Sequence, residues 1–254
     1  MYQFTAMTKL VLRQLLKPAA RKKLVSLSLS NDPDVSKLSH AILDALNRKF
    51  NANEMEWINK IETIRKKMQD DNSVISITDY GAGKPGDNRT EQEMLKGFDV
   101  DLTISELSRA SKPQFWACIL FKLVRHFKPK NGLELGACVG ISGAYEASAQ
   151  VLNDRNTGSM ITLEGSDSAA NLASNNFKKL GLDNITVVTG KFEDTLDVVL
   201  STNENFDYVF IDGHHDEHAT LKYFDKIIPR LSERALVIFD DIAWSEGMKR
   251  AWNK

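Results

Sequence analysis

The chain lacks several features that mark specialised classes of protein. Its 254 residues include only two cysteines, Cys118 and Cys138, both in apolar contexts, which argues against a disulfide framework and favours a reducing compartment. Basic residues number 33 and acidic residues 34, a net charge of −1, whereas a dedicated nucleic-acid binder usually carries a basic excess. No apolar run approaches the length that spans a bilayer. We therefore expect a cytoplasmic protein with no transmembrane segment and no nucleic-acid partner.

The first 30 residues combine basic side chains with leucines and contain no acidic residue. Arg13 interrupts the apolar run, so a signal peptide is not indicated. An amphipathic helix on a membrane surface is one interpretation. A helix packed on its own domain or on a second subunit is the preferred one, and we expect a homodimer. The basic residues are Lys9, Arg13, Lys17, Arg21, Lys22 and Lys23.

Helical patterns continue over residues 34–50 and 53–69, followed by a strand-like run at 73–80 and a glycine-rich loop at 81–88. The loop is interpreted as a connector, with a lid over a binding site as the alternative. We predict a helical N-terminal extension over residues 1–100 and a separate α/β domain over residues 101–254.

Five short apolar runs alternate with helical patterns in the C-terminal part of the chain. The first run ends near residue 135, and the others cover residues 160–164, 184–190, 206–213 and 235–241. Strands that alternate with helices are typical of a parallel sheet with right-handed crossovers. The pattern predicts an α/β fold with a Rossmann-like, doubly wound and mostly parallel sheet.

The turn after the first strand is the most informative segment. It reads Glu134-Leu135-Gly136-Ala137-Cys138-Val139-Gly140, and its glycines would let a ligand approach bare backbone. A dinucleotide fingerprint requires G-x-G-x-x-G, but the spacing here is E-x-G-x-x-x-G. This disfavours a nicotinamide-dependent oxidoreductase, while a tight turn without a ligand stays open as an alternative.

Carboxylates stand at or near the carboxyl ends of four of the five predicted strands. In open α/β sheets the ligand crevice lies outside these ends. A carboxylate at the end of the second strand can accept hydrogen bonds from both hydroxyls of a ribose. The residues are Glu134, Glu164, Asp212, Asp240 and Asp241.

Taken together, these motifs resemble those of class I S-adenosylmethionine-dependent methyltransferases, in the branch of small-molecule O-methyltransferases. The segment 211–215, Ile-Asp-Gly-His-His, is similar to the I-D-G-x-H segment of that branch, and Asp240 to Trp244 is similar to its D-[DN]-x-x-W segment. Ser111-Lys112-Pro113 and the helix that follows are also similar to that branch. The resemblance covers about residues 100–254 and implies methyl transfer to an oxygen of a small-molecule acceptor. A noncatalytic cofactor-binding scaffold is the alternative from another class.

The resemblance also implies how the residues would hold S-adenosylmethionine. Gly136 and Gly140 would approach its methionine part, and Glu134 would help to hold its amino group. Glu164 would bind the ribose. Gly190, Lys191 and Phe192 would border the adenine. Asp212 would lie beside the transferring methyl group.

Catechol-type members of the family hold a divalent cation with carboxylates after the fourth and fifth strands. Asp212, Asp240 and Asp241 match those places, and oxygen ligands suit Mg²⁺ or Mn²⁺. Alternatively, Asp240 and Asp241 cap the next helix and Asp212 serves only the cofactor. His215 occupies the histidine of I-D-G-x-H, so we expect it to be the general base, with Asp212 as the second catalytic residue.

Sheets of this family usually have seven strands, and the last two form an antiparallel hairpin. The sequence ends about one helix after the fifth predicted strand. We therefore expect that terminal hairpin to be absent from this chain, and the exposed edge to be covered by the N-terminal region or by a second subunit.

Overall fold

Helices dominate the N-terminal part of the computed structural model, which describes residues 17–83, 86–87, 89–155, 158–203 and 205–254. The start of the basic N-terminal segment, with Lys9 and Arg13, lies outside the described residues. The elements before the large sheet are α1 (Pro18–Ser28), α2 (Pro33–Leu46), α3 (Ala52–Gln69), β1 (Val74–Asp79), α4 (Glu91–Lys96), β2 (Phe98–Thr103), α5 (Ile104–Ala110) and α6 (Gln114–Phe127).

The C-terminal part alternates strands and helices, as its sequence predicts. Its elements are β3 (Asn131–Leu135), α7 (Ile141–Asn153), β4 (Ser159–Glu164), α8 (Asp167–Leu180), β5 (Ile185–Thr189), α9 (Phe192–Thr202), β6 (Phe206–Ile211), α10 (Glu217–Ile227), a 3₁₀ turn (Ile228–Arg230), β7 (Leu231–Phe239) and α11 (Glu246–Trp252).

All neighbouring strands of the large sheet are parallel, in the order β5-β4-β3-β6-β7. Within the described residues the sheet has five strands, and β7 is one of its edges. The predicted Rossmann-like α/β fold is confirmed. From β3 the chain forms β4 and β5 on one side of that strand, and then returns to form β6 and β7 on its other side. The direction in which strands are added therefore reverses beside β3, and the two halves of the sheet diverge there.

Both faces of the sheet are covered, because alternate residues of each strand enter different cores. Leu133 and Leu135 pack with residues of α9 and α10 in one core. Tyr208 and Phe210 of β6 belong to the other core, which includes residues of α3, α6, α7 and α8. This explains why the strands read as nearly continuous apolar runs, as parallel strands in α/β proteins do.

The N-terminal helices are fastened to the α/β part by buried polar contacts. Glu54 of α3 accepts hydrogen bonds from Lys122 Nζ at 2.8 Å and from Arg125 Nε at 3.0 Å, both on α6. Tyr145 of α7 donates to Glu62 of α3 at 2.8 Å.

None of the described helices has both the length and the apolar character needed to cross a bilayer.

Two elements differ from the sequence expectation. Strand β2 was not predicted, although residues 98–103 alternate apolar and polar side chains; it pairs with β1 in an antiparallel hairpin. The sequence pattern over residues 218–231 predicts a helix that reaches Leu231, whereas α10 ends at Ile227. Pro229 is the physical reason, since proline has no N–H with which to continue the hydrogen bonds of the helix; it lies in the 3₁₀ turn, and β7 begins two residues after it.

Candidate active site

A cavity opens at the carboxyl ends of β3, β4 and β6, where the two halves of the sheet diverge. Its volume is about 910 Å³, including solvent space at the open mouth. This is the position at which open α/β sheets bind ligands. The sequence-predicted residues that line it are Gly136, Glu164, Lys191, Phe192, Asp212 and His215.

The two glycines of the first turn are required by close packing within the protein. Gly136 has a φ of 109°, and a side chain there would clash with the carbonyl oxygen of Asp212. Gly140 has a φ of 80°, and a Cβ there would lie 2.9 Å from the ring of Phe177 on α8. The turn therefore passes close to the loop after β6, so that Gly136 lies at the cavity beside Asp212.

Glu164 is fixed at the cavity by backbone groups. Its Oε2 accepts a hydrogen bond from the Cys138 N–H at 2.7 Å, and its Oε1 accepts one from the Ser166 N–H at 2.9 Å. Burial raises the pKa of Glu164, and these backbone donors counteract the rise. Each oxygen has a second lone pair, so the carboxylate can still accept hydrogen bonds from two hydroxyls of a ligand.

Glu134 lies below the first turn and is fully buried. Its Oε2 accepts a hydrogen bond from Thr162 Oγ1 at 2.6 Å, while its Oε1 has no hydrogen-bond partner among the described residues. Burial raises the pKa of Glu134 to about 7. Glu146 of α7 is equally buried, and burial together with the charge of Glu134 raises its pKa well above the usual value.

Gly190 and the two residues after it stand at the end of β5, as predicted. The Gly190 N–H donates to the Glu164 carbonyl oxygen at 2.9 Å, and Lys191 and Phe192 line the cavity. The ring of Phe192 packs against Tyr223, with ring centroids 5.7 Å apart. These contacts tie the start of α9 to the cavity wall.

Three possible metal ligands meet beside the cavity, and two of them, Asp212 and His215, line it. Asp212, His215 and Asp241 each offer one ligand atom, and these atoms all lie within 4.8 Å of one another. His215 Nε2 is 3.8 Å from Asp241 Oδ2. Burial raises the pKa of Asp241. The structure therefore brings together two of the three predicted carboxylates and adds the predicted base.

Asp240, the third predicted carboxylate, pairs with a lysine. Lys112 Nζ contacts the Asp240 carboxylate and lies 2.8 Å from Asp212 Oδ2. Its side chain is only 8% exposed, and Nζ stands 5.6 Å from the ring centroid of Phe210. No role was predicted for Lys112, because a lysine between a serine and a proline at a helix start carries no signal for a buried cation.

Two further groups line the cavity. His214 Nδ1 lies 2.9 Å from the hydroxyl of Tyr223, and burial lowers the pKa of this histidine. Residues 78–81, at the end of β1, also line the cavity. They belong to the predicted extension, so the site is not confined to the part of the chain that carries the motifs.

Comparison with protein families identifies a methyltransferase domain. A family model described as a methyltransferase domain matches residues 133–242, which include the first turn, Glu164 and all three predicted metal ligands. Among curated proteins, none matches the chain.

Several solved structures share the fold. An O-methyltransferase from Bacillus cereus in complex with SAH is 24% identical, with a TM-score of 0.52, and the match covers 59% of this chain and 72% of that one. Cofactor-bound Rv0187 from MTB is 24% identical, with a TM-score of 0.50, and coverages of 58% and 70%.

The SAH-bound Podospora anserina methyltransferase PaMTH1 is 23% identical, with a TM-score of 0.47. The match covers 53% of this chain and 56% of that one, so this chain spans about half the length of that methyltransferase. These findings support the predicted resemblance: residues 133–242 match a family model described as a methyltransferase domain, and the chain shares the fold of the O-methyltransferase from Bacillus cereus.

Proposed function

We propose that the chain transfers a methyl group from S-adenosylmethionine to an oxygen atom of a small-molecule acceptor. One observation carries the proposal: Glu164, Asp212 and His215 line a single cavity, and Asp241 lies next to the last two. A carboxylate that can accept hydrogen bonds from ribose hydroxyls and a group of side chains that can accept a proton thus lie at one site. Neither a nicotinamide-dependent oxidoreductase nor a noncatalytic scaffold has a comparable observation in its favour.

The cofactor is proposed to lie along the ends of β3, β4 and β5. Glu164 would accept hydrogen bonds from the ribose hydroxyls, and Gly136 with Gly140 would keep the first turn close to the methionine part. Glu134 Oε1 is a buried acceptor without a partner among the described residues, which fits the proposed role near the cofactor's ammonium group. The adenine would lie beside Gly190, Lys191 and Phe192.

The acceptor is proposed to bind beside His215 and Asp212. The cofactor, when bound, supplies a methyl group on a positively charged sulfur. His215 Nε2 would take the proton of the acceptor hydroxyl, and Asp241, 3.8 Å away, would stabilise the resulting imidazolium. The new bond joins the methyl carbon to the acceptor oxygen as the carbon–sulfur bond breaks. Positioning of the two reactants and removal of this proton are the contributions expected from the protein.

A divalent cation at the same cluster is a second proposal. Asp212, His215 and Asp241 could each give it one ligand, and the two carboxylates suit Mg²⁺ or Mn²⁺. His215 would then be a ligand through Nε2, and it could not also be the base. Lys112 engages both Asp212 and Asp240, the latter assigned to the metal by the resemblance, and either carboxylate would have to leave that pair to bind a cation.

Methyl transfer from labelled S-adenosylmethionine to a panel of phenols and aliphatic alcohols tests the proposed reaction, with SAH release as a second readout. We expect a hydroxyl compound to be methylated, and His215→Gln to lose turnover while it still binds SAH. Methylation of amines or thiols alone would contradict an oxygen acceptor. Chelator-resistant turnover would assign His215 as the base, whereas loss with chelator and recovery with Mn²⁺ would assign the metal site.

A further inference from the structure

The segment Thr78–Ala82, which we name the strap, crosses the cavity from the end of β4 to the end of β6. At one side the Thr78 N–H donates to Ser166 Oγ at 3.2 Å. At the other side the Ala82 N–H donates to the His214 carbonyl oxygen at 2.7 Å. The strap thereby joins two loops of the α/β part that flank the cavity.

The strap is also stiffened from within. Asp79 Oδ1 accepts the Gly81 N–H at 2.9 Å, and Asp79 Oδ2 pairs with Arg89 Nη1 at 2.7 Å. Arg89 Nη1 in turn donates to the Gly81 carbonyl oxygen at 2.9 Å. These contacts hold the residue between them, Tyr80, in a defined position at the cavity.

The ring of Tyr80 lies directly against the residue after the proposed ribose carboxylate. A Cβ at Gly165 would approach Tyr80 Cδ2 to 2.7 Å, so a glycine is what allows the ring to lie there. Lys191 Nζ is also near the ring, 5.3 Å from its centroid. Tyr80 therefore stands between the ends of β4 and β5, where the nucleoside is proposed to bind.

Phe192, the aromatic residue that the sequence places beside the adenine, is engaged elsewhere. A Cβ at Gly213 would lie 2.7 Å from Phe192 Cε2, and the same ring packs edge-on against Tyr223. Tyr80 is thus better placed than Phe192 to present an aromatic face to the base.

We propose that Tyr80 is the aromatic residue that packs on the nucleoside end of the cofactor, and that the β1–β2 hairpin supplies this wall of the binding site. The inference rests on the proposed function. A purine base stacks favourably on an aromatic side chain, and a tyrosine held by the strap would lose little conformational freedom on binding.

Calorimetric titration of the full chain with two ligands tests the proposal. SAH carries both ends of the cofactor, whereas 5′-methylthioadenosine carries the nucleoside without the amino acid. Because the ring acts at the nucleoside, Tyr80→Ala should weaken both ligands by a similar factor of about ten. Tyr80→Phe should keep the wild-type affinity, since the ring is retained. Val74→Ala is the matched control, on the same hairpin at a side chain that is exposed.

Unchanged affinity of Tyr80→Ala for both ligands would overturn the proposal. So would an equal loss in Tyr80→Phe, which would implicate the hydroxyl, or in Val74→Ala, which would implicate the stability of the hairpin. A wild-type chain that binds neither ligand would overturn the proposed function itself, and this inference with it.

Discussion

At the scale of single residues, Glu164 is the best-defined candidate contact for a cofactor. Two backbone N–H groups hold its carboxylate at the cavity, at 2.7 and 2.9 Å. A side chain fixed in this way has its hydrogen-bonding direction set before a ligand arrives, which reduces the entropy lost on binding.

Glu164→Ala should weaken SAH binding at least tenfold. The expected loss is two charge-assisted hydrogen bonds of about 1.5–3 kcal/mol each, and about 1.4 kcal/mol corresponds to a factor of ten. Calorimetry measures the affinity, and circular dichroism checks that the variant is folded. Glu56→Ala on α3 is the control, since the Glu56 side chain is 61% exposed and pairs only with Lys60 among the described contacts. Equal affinities of all three proteins would contradict the proposed role.

The sequence predicts the residues at strand ends better than it predicts their partners. Glu164, Asp212 and Asp241 follow predicted strands, so their place at one edge of the sheet follows from the topology. The pairing of Lys112 with Asp240 does not, because the two residues are far apart in the chain and meet only when α6 packs on the sheet. The close contact of Tyr80 with Gly165 was missed for the same reason.

At the scale of elements, β3 and α7 enclose two carboxyl groups in an apolar layer. Glu134 and Glu146 are both fully buried, and the latter accepts a hydrogen bond from Tyr208 Oη at 2.6 Å. Burial disfavours the charged form of each group. The free energy of unfolding should therefore depend on the pH at which these carboxyls ionise.

Stability should fall as the pH rises between the ordinary pKa of Glu134, 4.5, and its raised pKa of about 7. The folded state keeps the proton over this range while the unfolded state loses it, so the stabilisation is complete below the lower value and is lost through the upper one. From about pH 5 to about pH 8, the free energy of unfolding measured with urea should fall by on the order of 3 kcal/mol more in wild type than in Glu134→Gln. A variant with the same pH dependence as wild type would refute this.

The packing of α3 on α6 depends on a buried charge cluster. The side chains of Glu54 and Lys122 are 5% and 6% exposed, so loss of the carboxylate would leave a buried ammonium with only part of its compensation. Glu54→Gln should lower the free energy of unfolding by about 3–5 kcal/mol. Glu56→Gln, which removes an exposed pair on the same helix, should change it by less than about 0.5 kcal/mol. Similar effects of the two substitutions in urea denaturation would contradict the importance of the buried pair.

Regular elements are predicted where short apolar runs alternate with helical patterns, and missed where an element lies outside that alternation. The five strands of the sheet were predicted because their apolar runs alternate with helices. The β1–β2 hairpin was only half predicted, because residues 98–103 are joined to β1 by a long connection and their alternation of apolar and polar side chains covers only six residues. Its contact with the cavity depends on tertiary packing, which no local pattern reports.

At the scale of the whole molecule, the helices before the sheet and the α/β part contribute to one site. The hairpin lines the cavity, and α3 supplies buried partners to α6 and α7. The predicted separation at residue 100 stays a prediction, as do the homodimer and the cytoplasmic location. Light scattering on the full chain and on a variant that starts near Ser30 would show whether the basic N-terminal segment mediates assembly.

The central claim is that the cavity binds S-adenosylmethionine and its product rather than a dinucleotide. Calorimetric titration of the purified full chain with SAH, and separately with NAD, tests it most directly. We predict saturable heat with SAH at one site per chain and none with NAD, because the first turn has the spacing E-x-G-x-x-x-G and Glu164 faces the cavity. Saturable binding of NAD without binding of SAH would contradict the claim.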